Sequence, residues 1–70
     1  MPKFYLNVTD GKKTYQDSNG LDVNGASAAE AFARIVANDL RADAEYQSFY
    51  VDVRDQQGNQ VAKVFVVPRH

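Results

Sequence analysis

Few residues in this chain are of the types that do covalent or acid–base chemistry. Among 70 residues there is one histidine, the terminal His70, and no cysteine. A histidine-based triad, a multi-histidine metal site and a thiolate nucleophile cannot be assembled from them, and disulfides are excluded. Ser27 stands three residues before Glu30, the spacing of a capping box rather than of a nucleophile. Asp17 with Asp22, and Asp52 with Asp55, are the candidate paired carboxylates, but acids in turns and on strand faces are ordinarily solvated. Asp17, Asn19 and Asp22 also invite a calcium reading, yet they lack the alternating ligands, the glycine and the closing glutamate of an EF-hand loop. No glycine-rich phosphate loop precedes the helix. The expectation is a protein that is not an enzyme and has no metal or cofactor.

Binding chemistry is better represented. Tyr5 and Tyr50 on strands, with Lys3, Arg54 and Arg69 nearby, are the types that stack bases and hold phosphates. Against this, no ribonucleoprotein consensus surrounds Ser48 to Val53, and Asp52 lies between the stacking and phosphate positions. Nine acids balance eight bases, so no global field draws in nucleic acid or an anionic bilayer. Tyrosines are also favoured on strands and at protein interfaces. Protein binding is therefore the first expectation, with single-stranded nucleic acid or an antitoxin-like regulatory role as the alternative.

These residues must be positioned by a helix and two hairpins. From Ser27 to about Asp43 the period is helical: Ala29, Phe32, Val36 and Leu40 fall on one stripe, Ala33 and Ile35 flank it, and Glu30, Arg34, Asn38 and Arg41 lie opposite. Asp43 and Glu45 place negative charge at the negative end of the helix dipole, which predicts fraying and an end by about Glu45. Lys3 to Thr9 alternates, with Phe4, Leu6 and Val8 on one face. Asp10-Gly11 then predicts a two-residue turn pairing Val8 with Lys13 and Leu6 with Tyr15. Residues 17–25 read as an ordered loop with Leu21 and Val23 dipping into the core. Ser48 to Arg54 alternates again, with Phe49, Val51 and Val53 on one face, and Gln60 to Val67 forms a fourth strand ending at Pro68.

The register of the second hairpin is open in the sequence. A three-residue loop with Gly58 in the left-handed position pairs Val53 with Val61, Val51 with Lys63 and Phe49 with Phe65. That leaves Tyr50, Ala62, Val64 and Val66 on the other face, a very apolar surface to meet water. A shift of one residue brings Ala62, Val64 and Val66 inward and puts Phe65 and Val67 outside. One helix covers one side of a sheet, so the uncovered face is the candidate partner surface, with Tyr5, Tyr50, Ala62, Val64 and Val66 as its residues.

Residues 1–70 thus read as a single α+β domain, ββαββ, with a four-stranded antiparallel sheet and one helix packed on one face. How the hairpins join is undetermined. A chain of this size buries only about 60% of the surface its unfolded form exposes. With no disulfide to add stability, self-association through the bare face or an edge strand is the expected supplement. No segment is apolar and long enough to span a membrane, and the expected location is cytoplasmic.

Met1-Pro2-Lys3-Phe4-Tyr5-Leu6 with Val8 and Asp10-Gly11, then Asp17 to Gly20, the alanine-rich helix, and Val51-Asp52-Val53-Arg54-Asp55 with Gly58 and Val61 resemble an uncharacterised family of short domains common in rhizobium-like alphaproteobacteria. The resemblance implies the same hairpin, helix, hairpin order and supplies no catalytic set. A second similarity, to the antitoxin half of HicAB-type toxin–antitoxin pairs, rests on the Asp-Gly hairpin followed by a helix. The chain departs from that family in having no proline-glycine segment before the helix, so this similarity implies fold only.

Overall fold

A computed structural model describes residues 2–67; the expected strand end at Pro68, and Arg69 and His70, lie outside the described residues. The chain runs β1 (Lys3–Thr9), β2 (Thr14–Tyr15), β3 (Leu21–Asp22), α1 (Ala26–Leu40), a 3₁₀ turn (Ala44–Tyr46), β4 (Tyr50–Arg54) and β5 (Gln60–Phe65). The fold is α+β, with five antiparallel strands rather than four. Their order is β2-β1-β4-β5, and β3 pairs with β1 beyond β2. The hairpins join through β1 and β4, the two central strands, with Leu6 opposite Val53 and Val8 opposite Val51.

The first hairpin keeps the expected face of Tyr15 but not its partner. Val8 pairs with Tyr15 and Thr9 with Thr14. A type I′ turn at Asp10-Gly11 needs positive φ at both residues, and here only Gly11 has it, at 93°. The Asp10 carboxylate instead accepts the amides of Lys12 and Lys13 at 2.9 and 2.7 Å, which lengthens the loop. The facing hydroxyls of Thr9 and Thr14 close its base at 2.8 Å. The shift is two residues, so every side chain stays on its expected face.

The second hairpin has the expected loop and a different ladder. Gly58 sits at φ 87°, its amide donating to the Asp55 carbonyl at 3.1 Å. Beyond Arg54 and Gln60 the ladder slips, and Val53 faces Ala62, Val51 faces Val64 and Tyr50 faces Phe65. Val61 is the extra residue of a bulge, and one extra residue exchanges the faces of everything after it. The pairing of Val53 with Val61 and Val51 with Lys63 is therefore replaced by the one-residue-shifted alternative.

The helix starts before Ser27 and is rotated from its expected orientation. Gly25 occupies the N-cap with no side-chain cap, and its carbonyl accepts the Ala29 amide at 3.1 Å. Glu30 does not reach back to Ser27; it pairs forward with Arg34 at 2.6 Å. No capping box forms, because Ser27 is already inside the first turn. The buried positions are Ala29, Ala33 and Ala37, whereas Phe32 is 46% and Ile35 57% exposed. Val36 and Leu40 pack at the core margin. Small residues spaced by four bring the helix backbone close to the sheet, whose larger Phe4, Phe49, Val51, Val53 and Val66 fill the layer between.

α1 lies mainly over β5 and β4 and less over β1. The other end of the same face is closed by aromatic packing of Tyr46 on Phe49, with ring centroids 5.1 Å apart, and of Tyr15 on Tyr46 at 6.0 Å. The 3₁₀ turn that supplies Tyr46 begins where fraying was expected. α1 ends at Leu40, and the Asp43 carboxylate caps the turn by accepting the Glu45 amide at 3.0 Å. Val23 packs against the core and Leu21 is half-buried, in a short strand the sequence did not announce.

Two outcomes test this packing. In urea unfolding, Ala33→Val is expected to lose about 1–3 kcal/mol by overfilling the helix–sheet contact, whereas Ile35→Ser stays within about 0.5 kcal/mol. The amides of Lys13 and Lys12 hold the Asp10 carboxyl below its usual 3.8. Its contribution to the hairpin is then full above 3.8 and is lost as pH falls through the lower folded-state value. An NMR titration of Asp10 with its midpoint at or above 3.8 would contradict this loop geometry.

Candidate functional site

Strand alternation places Lys3, Tyr5, Asn7 and Thr9 of β1, Tyr50, Asp52 and Arg54 of β4, and Lys63 and Phe65 of β5 on the face away from α1. Its centre is polar and already occupied. Asp52, only 8% exposed, accepts Arg54 Nε at 2.8 Å and Gln60 Nε2 at 2.7 Å. The Arg54 guanidinium also donates to the Gly58 carbonyl at 2.7 Å, so both of its sides are engaged. Thr9, at 7% exposure, is covered by its neighbours although no helix lies above it.

Of the expected partner residues, Tyr5 and Tyr50 lie on this open face. Ala62, Val64 and Val66 lie on the opposite one, under α1, with Val66 3% exposed in the core and Ala62 and Val64 packed against it. The Val61 bulge is the cause. Tyr5 faces Arg54 whereas Tyr50 faces Thr9, four positions further along. At about 3.3 Å per residue the two rings are separated by roughly 13 Å along the strands and form no continuous stacking platform. Tyr50 already has neighbours, with Lys63 Nζ 4.5 Å from its ring centre and the Phe65 ring at 5.6 Å. Tyr5 and Arg54 instead border an open depression of about 350 Å³ with Asn7, Asp17 and Asp55.

The acidic loop acts as a suture. Asp17 accepts the Leu6 amide at 3.3 Å through one oxygen, and the Asn19 and Gly20 amides at 3.2 and 3.0 Å through the other. The Asp17 amide donates to Asn7 Oδ1 at 2.9 Å. Between the short β2 and β3, these bonds satisfy the middle of β1 where no strand pairs with it. Asp17 is thereby committed to the backbone. Among the described residues no three acidic or histidine side chains group to hold a metal ion.

The opposite edge of the sheet is different. The Val66 amide donates inward to the Phe49 carbonyl at 3.0 Å. By antiparallel alternation Val64 also bonds inward, and Lys63 and Phe65 turn their amide and carbonyl groups outward. Among the described residues β5 is the last strand of the sheet, six residues long, and Val61, Phe65 and Val67 beside that edge are 38, 60 and 61% exposed. Between this edge and α1 runs a groove of about 340 Å³, lined by Arg34, Asn38 and Arg41 from the helix and Val64, Phe65 and Val67 from the strand side. Arg41 Nε is buried there without a hydrogen-bond partner.

A family model described as a domain of unknown function (DUF6894) matches residues 3–67, from the first residue of β1 to beyond the end of β5. The chain belongs to that family. No curated protein and no solved structure matches it. The match spans both hairpins, the helix and the β5 edge together.

Sequence reasoning placed Arg34, Asn38 and Arg41 opposite the apolar stripe, and Arg34 and Asn38 are exposed as expected; what it did not show is that the three border a groove against β5. The signal was present in Ala29, Ala33 and Ala37, a small-residue row at i, i+4, i+8 whose burial turns the basic flank toward β5. On the open face, Asp52→Ala is expected to lose about 1–2 kcal/mol in urea unfolding, because Arg54 and Gln60 lose a charged acceptor. An unchanged midpoint would show that the Asp52 network contributes nothing to the sheet.

Proposed function

We propose that this domain is a non-catalytic protein-interaction module that accepts an extended strand from another polypeptide along the free edge of β5. The observation that carries this reading is the contrast between the sheet's two edges. One is blunted by the two-residue strands β2 and β3 and sutured by Asp17. The other is a six-residue strand without proline, whose outward backbone groups lie beside the exposed Phe65 and Val67. Long edges are the usual templates for strand addition, and past the Val61 bulge it is Lys63 alone of β5 that places a charge against one. The open face supports docking less well, since its central carboxylate and guanidinium satisfy each other.

A second copy is one source of the added strand. An antiparallel twofold pairing centred on Val64 sets Lys63 of each chain against Phe65 of the other, as a hydrogen-bonded pair with a cation beside a ring. This is the pairing that self-association through the edge would take.

A photo-crosslinking residue at position 63 is expected to give a discrete adduct in native cells, and one at position 7, on the open face, to give none. Phe65→Pro removes one outward amide without touching the bonds to β4, and is expected to abolish the adduct while leaving the urea midpoint near that of the parent. Adducts from position 7 and none from position 63 would overturn the edge reading.

A further inference from the structure

Resting on the edge reading, we propose that the strand β5 accepts is an acidic extended segment of a different protein, held by Arg34 and Arg41 over the added strand. The groove beside the edge is basic although the chain as a whole carries a net charge of −1. Its lining residues include two arginines and an asparagine and no carboxylate. Arg34 is partly neutralised by Glu30 at 2.6 Å. Among the described residues Arg41 has no such partner, and its Nε is both shielded from water and unbonded. A position at the helix C-terminus accounts for a cation there, but not for a desolvated donor left without an acceptor.

Strand addition brings acceptors to the guanidinium of that side chain, which lines the groove. Alternate side chains of an added strand rise on the helix side of the sheet, beside Val64 and against the arginine flank, and the others fall on the open face beside Lys63 and Phe65. Arg34 and Arg41 are separated by about 10 Å along the helix axis. Same-face residues on a strand repeat at about 7 Å, so acids at alternate positions bring a carboxylate within reach of each long arginine side chain. The strand covers the groove and lowers the local dielectric, which strengthens both contacts. A second copy is the poorer occupant, because a twofold axis through Val64 sets Arg34 and Arg41 of one chain against the same basic flank of the other, like charge facing like.

The test is an NMR titration of the full ¹⁵N-labelled chain with an eight-residue peptide alternating Val and Glu, beside the same peptide with Gln for Glu. The expected result is shifts at the Lys63, Phe65 and Val67 amides and at Arg41 Nε–H. The Glu peptide should bind about tenfold tighter than the Gln peptide at low salt, two partly desolvated ion pairs corresponding to a factor of that order. Salt, and the Arg34→Gln, Arg41→Gln double variant, should remove the difference. Equal binding of both peptides at β5 would overturn the acidic preference while leaving strand addition in place. Binding of neither, with self-association that Phe65→Pro abolishes, would overturn the acidic occupant in favour of a second copy. Binding of neither by a chain that stays monomeric at millimolar concentration would overturn both the acidic occupant and the edge reading.

Discussion

The structure depends on one extra residue. Val61 bulges out of the β4–β5 ladder, and that step decides which half of the last strand meets the helix and which meets water. With the bulge, Val64 and Val66 join Val51 and Val53 under α1, and Lys63 lies over Tyr50 and beside Phe65 on the far face. Without it, a lysine would lie under the helix opposite Val51, and its charge would have no water and no carboxylate to meet. The cost of burying that ammonium selects the bulged register, and the same selection fixes which amides of β5 point out of the sheet.

The helix completes what the bulge begins. Ala29, Ala33 and Ala37 present almost no side chain, so α1 settles close to the valines of β4 and leans toward β5. Leaning leaves the β1 end of the core to Tyr46, Phe49 and Tyr15, which close it as an aromatic cluster. It also carries Arg34 and Arg41 to the margin of the last strand, where helix and edge together form a groove that neither would make alone. The family match over residues 3–67 encloses all of these elements.

The class of fold was legible because it follows from short-range patterns. Alternation at Lys3 to Thr9 and Ser48 to Arg54, the glycine of the second loop and the helical period all act within a few residues of chain. The contrasts lie where longer-range packing decides. A hydrophobic stripe through Phe32 is the better amphipathic solution for an isolated helix, but against a valine-rich sheet the alanine row packs closer, and Phe32 is displaced outward. Ser27 and Glu30 have the spacing of a cap, yet the helix begins at Ala26 and Glu30 has Arg34 one turn ahead. The bulge has no local signature in Asn59-Gln60-Val61, since its cause is the lysine two residues later. Tyr5 and Tyr50 were legible as outward residues, and an edge strand was legible as a docking element; which edge is free, and that arginines flank it, was not read, because both depend on the alanine row setting how the helix sits across the sheet.

Amide hydrogen exchange of the backbone along β5 tests the central claim most directly. In the dilute free chain, Val64 and Val66 should be protected to the level of β4, while Lys63 and Phe65 exchange close to the rate of unstructured peptide. Protection of Lys63 and Phe65 should appear only when a strand is added. Protection of Lys63 and Phe65 in the free chain, with Val64 and Val66 exposed, would show the opposite register and remove the free edge on which this account rests.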